Sequence, residues 1–311
     1  MNVKTETKEY FDRVAEEYLD RYYSGQSVRY PNLQLRAQIL LETVGERLPK
    51  GSRILDAGCG AGHLLLELGK IGYCVEGVDT APNMVQATRA LIDTAPSEVR
   101  ARCSVREGDL ETLSPDGCLY DGVVLSGVFE YLEEDDRAFQ QLRRLTRPGG
   151  LILASFRNRL FNLFSANEYT LQEVEQGTLK NLLSAWFRAL EEAQPKTVQR
   201  RQQFYAAVAK NVKGLETDDR NPTHGDRSGE TPQWEKRMPR RQHTVEQVRA
   251  LAEANGLTYE NTLFFHFHVL PPRVQDLMPA FAHAVSLALE TFRETELGHL
   301  LASGFVSVLR V

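Results

Sequence analysis

Cysteine is scarce in this chain, with four in 311 residues (Cys59, Cys74, Cys103 and Cys118). They lie far apart and form no CxxC pair, which excludes a disulfide framework and a zinc ribbon as first readings. Four buried, reduced thiols are expected instead. Long apolar runs are missing too. None approaches the roughly 18 residues of a membrane-spanning helix, and the opening MNVKTETKEYF has no apolar core of a signal peptide. A cytoplasmic protein without a membrane partner is therefore expected. Charge of one sign is equally sparse: a net charge of −5 supplies no basic field for phosphates, so nucleic acid is not an expected partner. A small molecule is, and a homodimer stays open.

Glycine is concentrated where it costs most. RILDAGCGAGH, residues 53–63, places Asp56 and then Gly58, Gly60 and Gly62 behind an apolar run. Such density loses backbone entropy on folding, so a tight turn and a close approach must require it. Around it, short apolar strands alternate with helical segments: RILDAG, YCVEGVD, ARCSVREGD, YDGVVLSG and LILASF. That rhythm predicts an α/β fold, a parallel sheet covered on both faces. Two helices precede it, 4–23 and from Pro31 to about Leu48. After Phe156 the rhythm breaks into helical patterns, one on Leu179, Leu183, Trp186 and Leu190, another on Phe204, Val208 and Val212. A polar loop over 214–241 follows and is expected to be mobile. A capping box at Thr244 and Gln247 restarts the core. A sixth strand in LTYENTLFFHFHVL, a long helix over about 275–296 and a last strand in GFVSVLRV complete it.

A glycine turn between a strand and a helix surrounds a ligand with backbone N–H groups. Asp79 closes the second strand, where a carboxylate accepts from both ribose hydroxyls. GCGAG is shorter than the G-x-G-x-x-G of dinucleotide sites, and Asp56 has no role in that fingerprint. In order, ILDAGCGAGH, VEGVD, REGDL, YDGVVLSGVFEYL and RPGGLILASF resemble the motifs of class I S-adenosylmethionine-dependent methyltransferases. The resemblance covers about 50–157 and resumes over 243–311. It implies a Rossmann-like seven-stranded sheet with the last strand antiparallel, and S-adenosyl-L-methionine as cofactor. It implies that Gly58 and Gly60 pack on the cofactor's amino-acid end beside Asp56, that Asp79 holds the ribose, that Asp109 and Leu110 read the adenine, and that Ser126 lies beneath the sulfonium. It also implies four regions: an N-terminal helical lid (1–50), a cofactor-binding core (51–157), a helical substrate cover (158–242) and the completion of the sheet (243–311).

Methyl transfer to oxygen calls for a base near the strand ends. Many small-molecule O-methyltransferases read Glu-His where this chain has Glu130-Tyr131, so a histidine is absent there and Tyr131 is left as a hydrogen-bonding candidate. His266 and His268, two apart on the sixth strand with Phe264, are the candidate catalytic pair. No third ligand has usable spacing, so no metal is expected. Arg157, Asn158 and Asn162 are candidate acceptor contacts, with His243, beside Arg240 and Arg241, for an anionic one. The opening segment is aromatic and cationic, with Tyr10, Phe11, Tyr18, Tyr22, Tyr23 and Tyr30 beside Arg21 and Arg29, and the resemblance implies that it serves as a lid with a tyrosine or arginine near the cofactor carboxylate. The expected activity is methylation of a small molecule, a sugar or secondary metabolite, at oxygen. An amine acceptor, a NAD-dependent oxidoreductase and a non-catalytic cofactor-binding interaction module stay open as alternatives.

Overall fold

Two helices, α1 (Val3–Tyr23) and α2 (Asn32–Arg47), lead into a sheet that begins at β1 (Arg53–Ala57). The computed structural model describes residues 3–23, 32–114, 117–191, 240–275 and 277–311. Then follow α3 (His63–Lys70), β2 (Cys74–Asp79), α4 (Pro82–Asp93), α5 (Ser97–Arg100), β3 (Cys103–Glu107) and β4 (Tyr120–Leu125). Next come α6 (Asp135–Leu145), β5 (Thr146–Arg157) and three helices, α7 (Asn162–Ser165), α8 (Glu168–Glu175) and α9 (Leu179–Glu191). The core resumes with α10 (Val245–Ala254), β6 (Thr258–Phe267), α11 (Pro272–Gln275), α12 (Pro279–Leu289), α13 (Leu297–Leu301) and β7 (Ala302–Arg310).

The seven strands form one sheet in the order β3-β2-β1-β4-β5-β7-β6. The first five are parallel, and β7 runs antiparallel to both neighbours. Side chains alternate across it. Ile54 joins Leu40 and Val44 of α2 and Leu65 and Leu68 of α3 on one face. Leu55 joins Phe139 and Leu142 of α6 and Val248 of α10 on the other. In β5, Leu151 and Leu153 face the first cluster while Ile152 and Ala154 face the second. Burial on both faces explains why these strands read as continuous apolar runs.

The capping box is present: Gln247 N donates to Thr244 Oγ1 at 3.2 Å, and Thr244 N to Gln247 Oε1 at 2.9 Å. The segment after β5 is pinned at both ends by a bridge, where His243 N donates to Arg157 O and Arg159 N to His243 O.

Two expectations need correction. The helix expected over about 275–296 is shorter: α12 and a 3-10 turn over Glu290–Phe292 occupy it, between α11, which ends at Gln275, and α13, which begins at Leu297. Pro279 opens α12, because a ring without an N–H suits a first turn and breaks an interior one. Of the thiols only Cys59 is fully buried. Cys74, at the outer start of β2, and Cys118, in the turn before β4, are exposed, and all four are free. The expected helix on Phe204, Val208 and Val212, the loop to residue 239, Tyr30 and Arg29 lie outside the described residues, as do the side chains of Tyr18, Arg21, Tyr22 and Tyr23.

Candidate functional site

Parallel strands bring their C-terminal ends to one edge, and the expected residues sit along it. Gly58 follows β1 at φ 74°, a left-handed conformation, and a Cβ there would stand 2.4 Å from Val128 Cγ2. Only glycine fits both constraints. At the end of β2, Asp79 ties the turn down: its Oδ2 accepts from Gly60 N and its Oδ1 from Ala81 N, each at 2.9 Å. Burial pushes the Asp79 pKa up, while these N–H groups pull it back. Its remaining lone pairs face a cavity that Gly58, Gly60, Asp109, Leu110 and Ser126 also line. Tyr131 lines the same cavity, edge-on to Phe11 of α1 with centroids 5.4 Å apart. Burial and the Glu130 charge push the Tyr131 pKa well up, so its hydroxyl is a donor and not a base.

Asp56, at the end of β1 two residues before Gly58, is 1% exposed, and among the described residues neither of its carboxylate oxygens has a partner within hydrogen-bond distance. Burial first and Asp79 second push its pKa up to about 7, the Leu65 backbone opposing them. Asp109 has a partner: Lys4 of α1 pairs with it and lies 2.5 Å from Glu111 Oε2. Burial opposes the Lys4 charge, but the two carboxylates prevail and raise its pKa. Helix α1 is thus fastened across the outer end of the cavity.

A second cavity, of about 270 Å³, adjoins the first. Gly127 lines both. Its φ is 76°, and a Cβ there would stand 2.6 Å from an Arg36 guanidinium nitrogen. Arg36, on the inner face of α2, is 9% exposed, and its Nε has no hydrogen-bond partner among the described residues. No carboxylate among the described residues pairs with it. The second cavity is lined further by Arg157, His266, His268 and Ser303. Arg157 Nη1 lies 3.4 Å from Glu130 Oε2.

His266 has φ 59°, a left-handed conformation uncommon for a residue with a side chain. That turn ends the strand alternation, so Phe265, not Phe264, lines the cavity with the histidines, and Phe264 packs into the core on Phe305. His266 Nδ1 lies 2.5 Å from Ser303 Oγ and 3.2 Å from His268 Nε2. His268 Nδ1 lies 2.6 Å from Gln275 Oε1. Burial lowers the His268 pKa to about 4, and burial, then His268 and Arg157, hold His266 well below its usual value. Both rings are neutral at pH 7.

Three expected acceptor contacts lie elsewhere. Asn158 is buried, and its Nδ2 donates to the carbonyls of Gly298, His299 and Ala302. Asn162 Nδ2 donates to Glu173 and Gln242. His243 is buried, with Nε2 3.0 Å from Asp135 Oδ2, which Arg241 also engages. These polar groups end buried chain segments, which must satisfy their own backbone, so they are committed to scaffold. Sequence reasoning missed Arg36, although its place four residues before Leu40 set it on the buried stripe of α2. It also missed Ser303 and Gln275, which carry no local signal. Among the described residues no group of three or more His, Cys, Asp or Glu side chains is placed to hold a metal ion. Nor is any helix long and apolar enough to cross a membrane.

Residues 54–150 match the family model described as a methyltransferase domain. A ubiquinone biosynthesis O-methyltransferase of Methylocella silvestris is 32% identical over 133 residues, 42% of this chain and 50% of the relative. One from Azorhizobium caulinodans is 31% identical over 42% and 51%. The chain thus spans about half the length of these relatives. A magnesium protoporphyrin IX methyltransferase from Synechocystis PCC 6803, with S-adenosylhomocysteine bound, shares the fold across 99% of both chains at a TM-score of 0.53 and 17% identity. An S-adenosylmethionine-dependent methyltransferase from Mesorhizobium loti does so at 0.50 and 15%, over 90% of this chain and 100% of that one. Alongside the sheet order and the glycine turn, these matches make residues 54–150 similar to a methyltransferase domain, in a fold shared with S-adenosylmethionine-dependent methyltransferases.

Proposed function

We propose that the chain transfers a methyl group from S-adenosylmethionine to an oxygen of a small molecule held in the second cavity. The observation that carries this reading is a pair of orphan charges. Among the described residues, Asp56 is a buried carboxylate with no partner within hydrogen-bond distance of its oxygens, and Arg36 is a buried guanidinium with no ion-pair partner. Each is costly alone. Asp56 ends β1, two residues before the Gly58 turn of the first cavity, and Arg36 lines the second cavity against Gly127. A zwitterionic amino acid end complements both: Asp56 faces its ammonium and Arg36 its carboxylate. The residues present therefore fit the cofactor. Asp79 would accept from the ribose hydroxyls, with Asp109 and Leu110 against the adenine and Ser126 and Tyr131 along the middle.

When bound, the cofactor supplies a methyl carbon on a sulfonium, already activated for in-line displacement. The protein's task is then alignment, exclusion of water and removal of the acceptor's proton. Gly127 is the thin wall past which donor and acceptor meet. The second cavity exceeds the roughly 150 Å³ that holds a benzene ring, so a ring-sized acceptor with polar substituents suits it. The O-methyltransferase relatives support oxygen as the atom methylated.

Thermal unfolding tests the reading. S-adenosylhomocysteine should raise the Tm of the wild type and NAD should not. Asp56→Asn should weaken the S-adenosylhomocysteine effect. Stabilisation by NAD in place of S-adenosylhomocysteine would reject the assignment.

A further inference from the structure

The last row to span β5, β7 and β6 consists of Arg157, Gly304 and Phe265, paired directly across the ladder. Residues opposed in this way share a face of the sheet. The row before it, Phe156, Phe305 and Phe264, belongs to the core of the other face. Gly304 leaves room that Phe265 takes: a Cβ there would stand 2.5 Å from Phe265 Cζ. The Phe265 ring therefore reaches across β7 toward β5, and all three residues line the second cavity. Arg157 is held from two sides. Its carbonyl accepts from His243 N, and its guanidinium carbon lies 5.3 Å from the centre of the Tyr169 ring, within cation–π range. Among the described residues its side chain makes one hydrogen bond, from Nη1 to Glu130 Oε2 at 3.4 Å. That contact is long and single, and it leaves most of the donor fork unused.

Three of the side chains lining this cavity are charged, Arg36, Arg157 and Glu130, and the two histidines are neutral at pH 7. The lining is thus cationic on balance. With Arg36 turned to the cofactor carboxylate, Arg157 is the cation left for the acceptor. We propose that the acceptor is a hydroxy acid, a ring bearing a carboxylate besides the hydroxyl that is methylated, and that Arg157 selects it by taking the carboxylate on its fork while the ring lies against Phe265. This rests on the reading of the second cavity as the acceptor site. A planar fork matches a carboxylate with two parallel bonds, which a neutral ring cannot use. A phosphate dianion would call for a second cation, and Arg36 is already engaged. Glu130 is the counterweight: it holds the guanidinium while the cavity is empty and repels the incoming acid.

Calorimetry on the full chain, saturated with S-adenosylhomocysteine at pH 7, tests the selection. The probes are hydroxybenzoates and dihydroxybenzoates, each set against its own benzamide, which keeps the shape and lacks the charge. In the wild type the acids should bind about tenfold tighter than their amides or better, the worth of one charge-assisted bond. Arg157→Met should erase that difference and leave the amides as they were. Arg157→Lys, which keeps the charge without the fork, should retain part of it. Glu130→Gln should widen it, a change of opposite sign that loss of structure would not produce. Phe265→Leu should weaken acid and amide alike. All four variants should bind S-adenosylhomocysteine like the wild type, which shows that the first cavity is intact. Amides that bind as tightly as acids, or a preference that survives Arg157→Met, overturn the acid and leave the acceptor cavity standing. A chain that binds S-adenosylhomocysteine but neither binds nor methylates any probe overturns the acceptor cavity and the acid with it.

Discussion

The two cavities meet at Gly127 but are built in opposite ways. The first is local in sequence. Gly58, Asp79, Asp109 and Ser126 each stand at or just past the end of a parallel strand, and each strand is followed by its own turn. The second gathers Arg36 from α2, Arg157 from β5, His266 from β6 and Ser303 from β7. Its polar groups depend on the antiparallel closure of β5, β7 and β6. Backbone geometry makes one site, and long-range packing makes the other. The first can therefore persist through changes in loops and packing that remodel the second.

Four experiments press on this division. The largest effect is expected at Asp79. Asp79→Ala removes the acceptor for Gly60 N and Ala81 N as well as for the ribose. At ~1.5–3 kcal/mol for each charge-assisted bond, S-adenosylhomocysteine affinity should fall by about 10²-fold by calorimetry. Arg36→Met should weaken S-adenosylhomocysteine by about tenfold, one such bond. It should leave 5′-methylthioadenosine, which lacks the amino acid end, unaffected. Equal losses for both ligands would assign Arg36 to the acceptor cavity alone.

Asn158→Ala should spare cofactor affinity and lower stability by ~1–3 kcal/mol, since three buried carbonyls lose their donor. Urea unfolding measures it, and a stable variant with altered acceptor KM would return Asn158 to the site. The smallest effect is a proton. Asp56, with its pKa raised to about 7, is largely protonated at pH 6 in the ligand-free chain. An ammonium beside it favours the carboxylate, so binding S-adenosylhomocysteine should release about one proton at pH 6. Calorimetry in buffers of different ionisation enthalpy counts it, and Asp56→Asn should release none.

What could be read in advance follows the same division. The strands and the glycine turn were legible because apolar alternation and positive-φ glycines leave local signals. The family's motifs added the acids. Arg157 and the histidine pair, singled out by type and strand position, line the second cavity. Asn158, Asn162 and His243 misled, because a polar residue at a strand end looks alike whether it binds a ligand or closes a buried backbone. Only the partners distinguish these cases: three carbonyls for Asn158, Asp135 for His243. Ser303 and Gln275 were invisible because their roles exist only once β7 and α11 meet His266 and His268. Pro279, by contrast, stood in plain view inside the expected helix and should have divided it.

The place of β7 has a consequence for how the molecule is made. It follows β6 in the chain yet lies between β5 and β6 in the sheet. On a ribosome, β5 and β6 emerge first, each with an unsatisfied edge toward the same slot. No nearest-neighbour pairing can fill that slot until residues 302–310 arrive. Insertion of a strand into a gap is a late, long-range event that leaves sticky edges exposed meanwhile. Ser303 and Gly304, which line the second cavity, ride in on that strand. A nascent chain could thus complete its first cavity well before its second.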